Sequence, residues 1–314
     1  MKIGLVSDAC FLDHRASGVA HPERPERLTA IVRALNGAEL FSRFVRMPIR
    51  PATREELERA HTSEYLTALE AEVKSGEGML DPDTFYSSGS WTAALAASGS
   101  VIDLGRKILA GELDSGLALV RPPGHHATRD RAMGFCLLNH VAVAAADLKS
   151  RGARVAIFDW DVHHGNGTED IFYEDPDVLY SSIHEEFNYP GTGRAQDRGR
   201  GAGLGVNLNV PVQSGTHDEL YLNYFFAEIV PAIAAFGPDL IFVSAGFDAH
   251  IDDPLGGLNL TESTFARMTD ALIAIQPKIV LVLEGGYDLA AIGTSTVAVT
   301  ERLFAAGLAD EDHP

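Results

Sequence analysis

The sequence is short of cysteine, of basic residues and of long apolar runs. Its two cysteines, Cys10 and Cys136, lie far apart without metal-site spacing, so no disulfide framework is implied and we expect a reducing compartment. Lysine and arginine number 25 against 44 acidic residues, which gives a formal net charge of −19. That balance argues against binding to nucleic acid or to an anionic membrane, because both require basic surface.

Targeting signals are also missing. Residues 1–8 (MKIGLVSD) are too short, and become charged too early, to form a signal peptide, so they predict a first strand instead. No apolar run has the length that a bilayer-spanning helix needs. We therefore expect a cytoplasmic protein that binds neither membrane nor nucleic acid.

Short apolar runs alternate with helical patterns along the chain. Buried strands are predicted at residues 3–6, 116–120, 155–158, 178–183, 206–210, 240–244 and 279–283. Helices are predicted at residues 91–109, 139–149, 219–236 and 261–275, with a kink at Pro231. No Pro-, Gly- or Ser-rich linker divides the chain, so we expect a single domain over residues 1–314. The pattern predicts an α/β fold with a doubly wound, mainly parallel sheet flanked by helices.

Polar clusters follow four of the predicted strands. They are residues 121–126 (RPPGHH), 159–166 (DWDVHHGN), 245–248 (AGFD) and 284–287 (EGGY). The carboxyl ends of parallel strands lie at one edge of a sheet, where such folds build their sites. The clusters are therefore expected to converge.

Asp161 and His163 are the strongest candidates for metal ligands. Side chains two residues apart in extended backbone point the same way, so this carboxylate and imidazole would share a face. Catalytic metal sites use three protein ligands and leave a fourth position open. Asp248 is the expected third ligand, although an isolated Asp there could also cap a helix or a turn. Zinc suits this donor set, and ferrous iron is the alternative.

Two histidines and a tyrosine are candidates for proton transfer and for stabilising charge. His125 and His126 could act as base and acid if their partners tune them differently. Asp159 behind one ring would raise its basicity, whereas Asn166 behind the other would orient it with less charge. Tyr287 follows paired glycines and could donate to an oxyanion, although a core tyrosine fits the local sequence equally well.

Two further groups carry weaker signals. Phe135 and Tyr189 could form the walls of a narrow apolar channel, although aromatic side chains more often belong to the core. Oxygens for a buried monovalent cation could come from Asp159, Asp161, His163 and Ser182.

Seven motifs together resemble the histone deacetylase family of the arginase/deacetylase superfamily. They are residues 21–27 (HPERPER), 121–127 (RPPGHHA), 134–139 (GFCLLN), 159–168 (DWDVHHGNGT), 189–193 (YPGTG), 244–248 (SAGFD) and 284–287 (EGGY). They occur in family order over nearly the whole chain. The sequence is most similar to class II enzymes and their bacterial relatives, because Asn166 stands where class I members carry Asp and Glu284 precedes the paired glycines.

The resemblance implies a role for each candidate residue. Zinc would bind Asp161, His163 and Asp248. His126 would be the general base, His125 with Asp159 its electrostatic or proton-transfer partner, and Tyr287 the group that polarises the amide carbonyl. The substrate would contact Phe135 and Tyr189 along its stem, Gly134 through its amide and Asp83 at the rim. A potassium ion would bind Asp159, Asp161, His163, Ser182 and Ile183.

The implied activity is hydrolysis of acetyl or other short acyl groups from lysine side chains of proteins or peptides, or from related amines. Acetylpolyamine hydrolysis is the main alternative, and Leu255, where polyamine-selective relatives can carry Glu, modestly favours acyl-lysine. An arginase-like manganese enzyme would place extra carboxylates where His164 and His250 stand. A binding module without turnover would have lost a ligand or a base, and none is missing. A homo-oligomer is compatible with the sequence.

Overall fold

One parallel sheet carries most of the extended structure. The computed structural model describes residues 1–16, 18 and 20–306. Its strands are β1 (Ile3–Val6), β2 (Val45–Arg46), β3 (Gly78–Met79), β4 (Phe85–Tyr86), β5 (Ser115–Ala118), β6 (Val155–Asp159), β7 (Val178–Glu185), β8 (Asn207–Val212), β9 (Leu240–Ala245) and β10 (Ile279–Leu283). The eight-stranded sheet has the order β2-β1-β5-β10-β9-β6-β7-β8, and every pair in it is parallel. Strands β3 and β4 form a separate antiparallel pair.

Helices flank this sheet in two groups. They are α1 (Glu26–Gly37), α2 (Arg54–Leu57), α3 (Ser63–Lys74), α4 (Ser90–Leu109), α5 (His140–Ser150), α6 (Asn166–Phe172), α7 (Asp218–Tyr224), α8 (Val230–Phe236), α9 (Glu262–Ile275) and α10 (Leu289–Ala305). Helices α1, α10 and α9 pack side by side, and α7 and α8 join α9. Helices α3, α4, α5 and α6 form the other group. Because helices cover the sheet, every residue of β6, β9 and β10 is buried.

The predicted α/β fold is confirmed, with a few elements that the pattern did not indicate. All the predicted strands are present, with ends that move by at most two residues. Strand β2 was not predicted, because it is a two-residue exposed edge strand without an apolar run. The β3–β4 pair is equally short. Helices α1, α2, α3, α6 and α10 lie outside the ranges that the sequence indicated.

The helical run Asp218–Phe236 is irregular in its middle. A π-helical segment, Phe225–Ile229, separates α7 from α8, and Pro231 lies in the first turn of α8. Proline cannot donate a backbone hydrogen bond, so an interruption near Pro231 was expected. Length and composition would allow this 19-residue run to cross a bilayer, contrary to the expectation that none would. Such evidence is weak for a single helix, and one side of the run, including Tyr221 and Ile229, is buried against the fold.

Four neighbouring strands at the centre of the sheet lead into the polar clusters. In spatial order these strands are β5, β10, β9 and β6. The clusters at residues 121–126, 284–287, 245–248 and 159–166 follow them in that same order. The loops after all four strands therefore lie at one sheet edge, as predicted.

Candidate metal centre and active site

Asp161, His163 and Asp248 meet at the carboxyl ends of β6 and β9. All three side chains are buried, and their ligand atoms lie within 4.8 Å of one another. His163 Nδ1 is 3.0 Å from Asp161 Oδ1 and 3.3 Å from Asp248 Oδ2. The loops after two adjacent strands thus bring together the three residues that the sequence singled out as metal ligands.

Glycine allows the backbone to approach both carboxylates closely. A Cβ atom at Gly285 would lie 1.9 Å from Asp248 Oδ2, and one at Gly246 would lie 2.1 Å from Asp161 Oδ2. The Gly285 N–H donates to Asp161 Oδ2 over 2.8 Å, and the Val162 N–H donates to Asp248 Oδ1 over 2.9 Å. These bonds orient both carboxylates and leave Asp248 Oδ2 facing His163.

The donor set fits a divalent ion. Asp248 Oδ2 is buried and has no hydrogen-bond partner among the described residues. Burial, followed by repulsion from Asp161, raises the pKa of Asp248 to about 7. Burial disfavours a charge on His163, but its contacts with Asp161 and Asp248 outweigh that effect and raise its pKa to about 10. One nitrogen and two carboxylate oxygens are ligands that zinc accepts, and a single ion would neutralise the crowded carboxylates.

His125 is paired with a carboxylate. Its Nδ1 lies 3.0 Å from Asp159 Oδ2, and its Nε2 lies 3.8 Å from Asp161 Oδ2. Burial favours the neutral ring, but attraction to Asp159 and then to Asp161 outweighs it and holds the pKa of His125 well above its usual range. At neutral pH this ring is therefore positively charged.

His126 has an amide partner instead. Its Nδ1 lies 2.8 Å from Asn166 Oδ1, at the start of α6. Burial and then the positive charges of His125 and His163 hold the pKa of His126 well below its usual range. The two rings lie 4.0 Å apart between centroids, so the turn after β5 places them side by side. Both expected partnerships, with Asp159 and with Asn166, are present.

Glu284 anchors the turn that carries the two histidines. This fully buried carboxylate accepts from the Gly124 N–H over 2.6 Å and from the His125 N–H over 3.1 Å. Burial raises the pKa of Glu284 to about 7. The sequence marked Glu284 only as a family feature, and its contact with residues far away in the chain was not predicted.

Tyr287 lies in the buried loop after β10. Burial, followed by the charge of Asp248, raises the pKa of its phenol well above the usual range, so the phenol keeps its proton. Its ring stands edge-on to the Phe135 ring at 5.9 Å between centroids. Tyr287 is therefore a buried hydrogen-bond donor close to the candidate metal ligands.

A buried charged network next to Tyr287 was not predicted from the sequence. The Arg27 guanidinium lies 4.9 Å from the centroid of the Tyr287 ring, and Glu23 accepts hydrogen bonds from both Arg27 and Arg121. Glu23 and Arg27 belong to the quoted motif at residues 21–27 but were given no role. The available signal was that Arg27 shares a helix face with Ile31, four residues on, which is buried.

Aromatic side chains stand next to the histidines of the site. The Tyr189 ring stands edge-on to the His126 ring at 5.0 Å and to the His163 ring at 6.4 Å. Gly134 and Phe135 both have positive φ, 56° and 67°. A Cβ atom at Gly134 would lie 2.4 Å from the His126 ring and 2.9 Å from the Tyr189 ring, so only glycine fits between them.

Asp83 and Leu255 lie farther out. Asp83 is half-buried beside the β3–β4 pair, where burial and then Asp81 raise its pKa. Its carboxylate charge contributes to the raised pKa of Tyr189. Leu255 is 37% exposed, in the loop that follows the Asp248 segment.

The residues expected to bind potassium are neighbours beneath the metal ligands. Asp159 and Ser182 are register partners on β6 and β7. Asp159 Oδ1 accepts from the Asp161 N–H over 3.2 Å, and the Ile183 carbonyl accepts from the Tyr221 hydroxyl over 3.2 Å. These contacts bring the set together but do not identify an ion.

Comparison with known proteins agrees with this geometry. A family model described as a histone deacetylase domain matches residues 21–303. The chain belongs to the histone deacetylase family.

Similar proteins include members from plants and archaea. Histone deacetylase 15 of Arabidopsis thaliana is 42% identical over 291 residues, which cover 90% of this chain but only 53% of that protein. A probable deacetylase of Archaeoglobus fulgidus is 39% identical over 297 residues, covering 92% of this chain and 82% of the relative. A crystal structure of the HDA15 HD domain matches with a TM-score of 0.94 and 40% identity, over 98% of this chain and 92% of that one. The protein thus has the α/β fold of the histone deacetylase family, and it spans about half the length of several of the relatives that it matches.

Proposed function

We propose that this protein is a zinc-dependent amidohydrolase that removes acetyl or other short acyl groups from lysine side chains or related amines. The observation that carries the proposal is the buried cluster of Asp161, His163 and Asp248, in which Asp248 Oδ2 has no hydrogen-bond partner and faces His163 Nδ1 at 3.3 Å. Two histidines with opposite pKa shifts stand beside it. Family membership and the deacetylase relatives support the same reaction class.

Zinc at this cluster would lower the pKa of a coordinated water toward ~7 and polarise the acyl carbonyl. His126 is suited to take the proton from the attacking water, because its depressed pKa leaves the ring neutral. Its Nδ1 faces the Asn166 oxygen and therefore carries the ring hydrogen. Nε2 is then the atom that accepts the proton.

The other groups stabilise charge that develops during the reaction. The Tyr287 phenol donates a hydrogen bond to the carbonyl oxygen as it becomes negative, a contribution of roughly 10²–10³ in rate for one such donor. His125, held positive by Asp159, stabilises negative charge in the same cavity. A histidine then protonates the departing amine, and a carboxylate and a free amine leave.

The aromatic rings beside the histidines would form the walls of a channel for a narrow, unbranched acyl-amine stem. Phe135 and Tyr189 would flank the methylene groups of a lysine. Gly134 would accept a hydrogen bond from the substrate amide. Asp83 would hold the substrate backbone at the rim. We also propose that potassium binds next to the zinc site, at Asp159, Asp161, His163, Ser182 and Ile183.

Steady-state kinetics on an acetyl-lysine peptide and on acetylputrescine test this function. The zinc-loaded protein should hydrolyse the peptide with the higher kcat/KM. If acetylputrescine were preferred by about a thousand-fold, which is far beyond what one apolar contact contributes, the acyl-lysine assignment would be wrong. If neither these nor other acylated amines were hydrolysed, the amidohydrolase assignment itself would be wrong.

Leu255 offers a sharper version of the same comparison. A carboxylate at this position would attract the distant ammonium of a polyamine, so Leu255→Glu should move the kcat/KM ratio toward acetylputrescine by about tenfold. Leu204→Glu is the matched control, because Leu204 is 68% exposed on the loop before β8. An equal shift in both variants would show that Leu255 does not select the substrate.

A further inference from the structure

Asp253 connects the metal-ligand loop to the loop of Tyr287. It is buried, five residues after Asp248, and its two carboxylate oxygens serve different segments. Oδ1 accepts from the Leu255 N–H over 3.0 Å within its own loop. Oδ2 accepts from the Tyr287 N–H over 2.6 Å and from the Asp288 N–H over 3.1 Å.

The peptide group between Gly286 and Tyr287 is held at both ends. Its N–H donates to Asp253 Oδ2, and its carbonyl accepts from Arg27 Nε over 2.6 Å. Gly286 has a φ of 111°, outside the region that other residues adopt readily. Because the Asp288 N–H donates to the same carboxylate oxygen, the peptide groups on both sides of the Tyr287 Cα atom are held, and so is the direction in which its side chain leaves the backbone.

The same carboxylate is tied to the candidate metal ligands. The Asp253 N–H donates to the His250 carbonyl, and the His250 N–H donates to the Phe247 carbonyl, so a short hydrogen-bonded turn leads back to Asp248. On the far side, the Asp288 side chain caps α10 through the Ala290 and Ala291 N–H groups. Asp253 therefore lies where the metal loop, the Tyr287 loop and the start of a long helix meet.

We propose that Asp253 is a positioning residue that sets the distance between the Tyr287 phenol and the metal centre. The inference rests on the proposed function, since it assigns Tyr287 the donation to the carbonyl oxygen. An oxyanion donor acts only within hydrogen-bond distance of the atom where charge develops. A misplacement of about 1 Å can cost on the order of 10²-fold in rate, so removal of the carboxylate should impair kcat rather than substrate binding.

Hydrogen exchange measured on the metal-free protein tests the anchoring itself. In Asp253→Ala, the Tyr287 and Asp288 amides lose a charged acceptor and should exchange about tenfold faster or more. Asp252→Ala is the matched control, because the adjacent Asp252 side chain is 71% exposed and accepts neither amide. Unchanged exchange at residues 287 and 288 in Asp253→Ala would overturn the proposal.

A double-mutant cycle with Tyr287→Phe tests whether Asp253 acts through the phenol. In the zinc-loaded protein, Asp253→Ala should lower kcat by about 10- to 100-fold with KM little changed. In the Tyr287→Phe background, where there is no phenol to position, the same substitution should cost less than about threefold. Equal losses in both backgrounds would reduce Asp253 to a structural residue and overturn the proposal.

Two controls distinguish a displaced phenol from failed folding and from loss of zinc. If Asp253→Ala does not fold, Asp253→Asn enters the same cycle, because it keeps the side-chain shape and only one acceptor oxygen. The metal content of every variant is measured, so a loss of zinc is not mistaken for a displaced phenol. An active wild type with an unaffected Asp253 variant contradicts the positioning role alone, whereas an inert wild type contradicts the proposed function.

Discussion

The two adjacent histidines share one cavity but have opposite electrostatic environments. His125 faces a carboxylate, Asp159, and its pKa lies well above the ordinary value. His126 faces an amide, Asn166, and its pKa lies well below it. Rings 4.0 Å apart thus carry different charge at neutral pH. Attraction to Asp159 and Asp161 favours the charged form of His125, whereas burial and the charges of His125 and His163 favour the neutral form of His126.

This difference teaches how a single loop can supply two functions. The turn after β5 determines where both rings lie, whereas the carboxylates of Asp159 and Asp161 raise the pKa of His125 and burial with the charge of His125 lowers that of His126. The charged ring also lowers the pKa of the neutral one. We expect substitutions of the rings and of their partners to have separable effects.

Removal of the rings should have the largest effect. His126→Ala removes the base and should lower kcat by about 10²–10⁴-fold, whereas His125→Ala should lower it less. Initial rates on an acetyl-lysine peptide, with zinc content measured, check the order. His217→Ala, an exposed histidine before α7, serves as the control. A larger loss for His125→Ala would reverse the assignment of roles.

Substitution of Asp159, the partner of His125, should have a smaller effect on kcat. Asp159→Asn gives both histidines amide partners, so the pKa of His125 should fall and its positive charge should be lost near neutral pH. Substitutions behind such groups typically cost about 10- to 100-fold, and we expect a kcat loss in that range. Because Asp159 also belongs to the proposed potassium site, the assay is repeated over a range of potassium concentrations. Full recovery at high potassium would assign the loss to the cation and not to His125.

Substitution of Asn166, the partner of His126, should change the pH dependence of kcat/KM more than the rate at pH 8. A base must be deprotonated, and the depressed pKa of His126 keeps it so, which predicts no His126-dependent fall of kcat/KM until the pH is well below 6.5. Asn166→Asp adds a negative charge, which should raise that pKa by about 1–3 units and move the acidic limb upward. At pH 8 the rate should change by less than about threefold. Superimposable pH profiles would contradict the roles given to Asn166 and His126.

Much of the fold followed from the sequence because strands buried on both faces are apolar throughout. The runs that became β6, β9 and β10 have this property, and helical patterns between them implied parallel crossovers. Strand order did not follow, since β10 lies between β5 and β9 through contacts far apart in the chain. The exposed edge strand β2 carries no comparable signal.

The candidate site was predictable where its residues follow strand ends. Asp161, His163 and Asp248 follow the ends of adjacent strands, so a shared sheet edge was enough to predict that they meet. The extended backbone expected for residues 161–163 was wrong, because β6 ends at Asp159 and these residues form a bend. The hydrogen bonds that hold the Tyr287 loop were not predictable in this way. Arg27 donates to the Gly286 carbonyl, 259 residues along the chain, and Asp253 accepts from the Tyr287 N–H, 34 residues on. Local spacing holds no information on contacts of that kind, because tertiary packing creates them.

Zinc titration of the metal-free protein, with bound metal and peptide hydrolysis measured on the same samples, tests the central assignment most directly. We predict one tightly bound zinc per chain, activity proportional to occupancy, and loss of both in His163→Ala. Binding should release protons near neutral pH, because the pKa of His163 is raised to about 10 and that of Asp248 to about 7 without metal. Zinc bound equally well by His163→Ala, or hydrolysis unaffected by removal of the metal, would contradict the account.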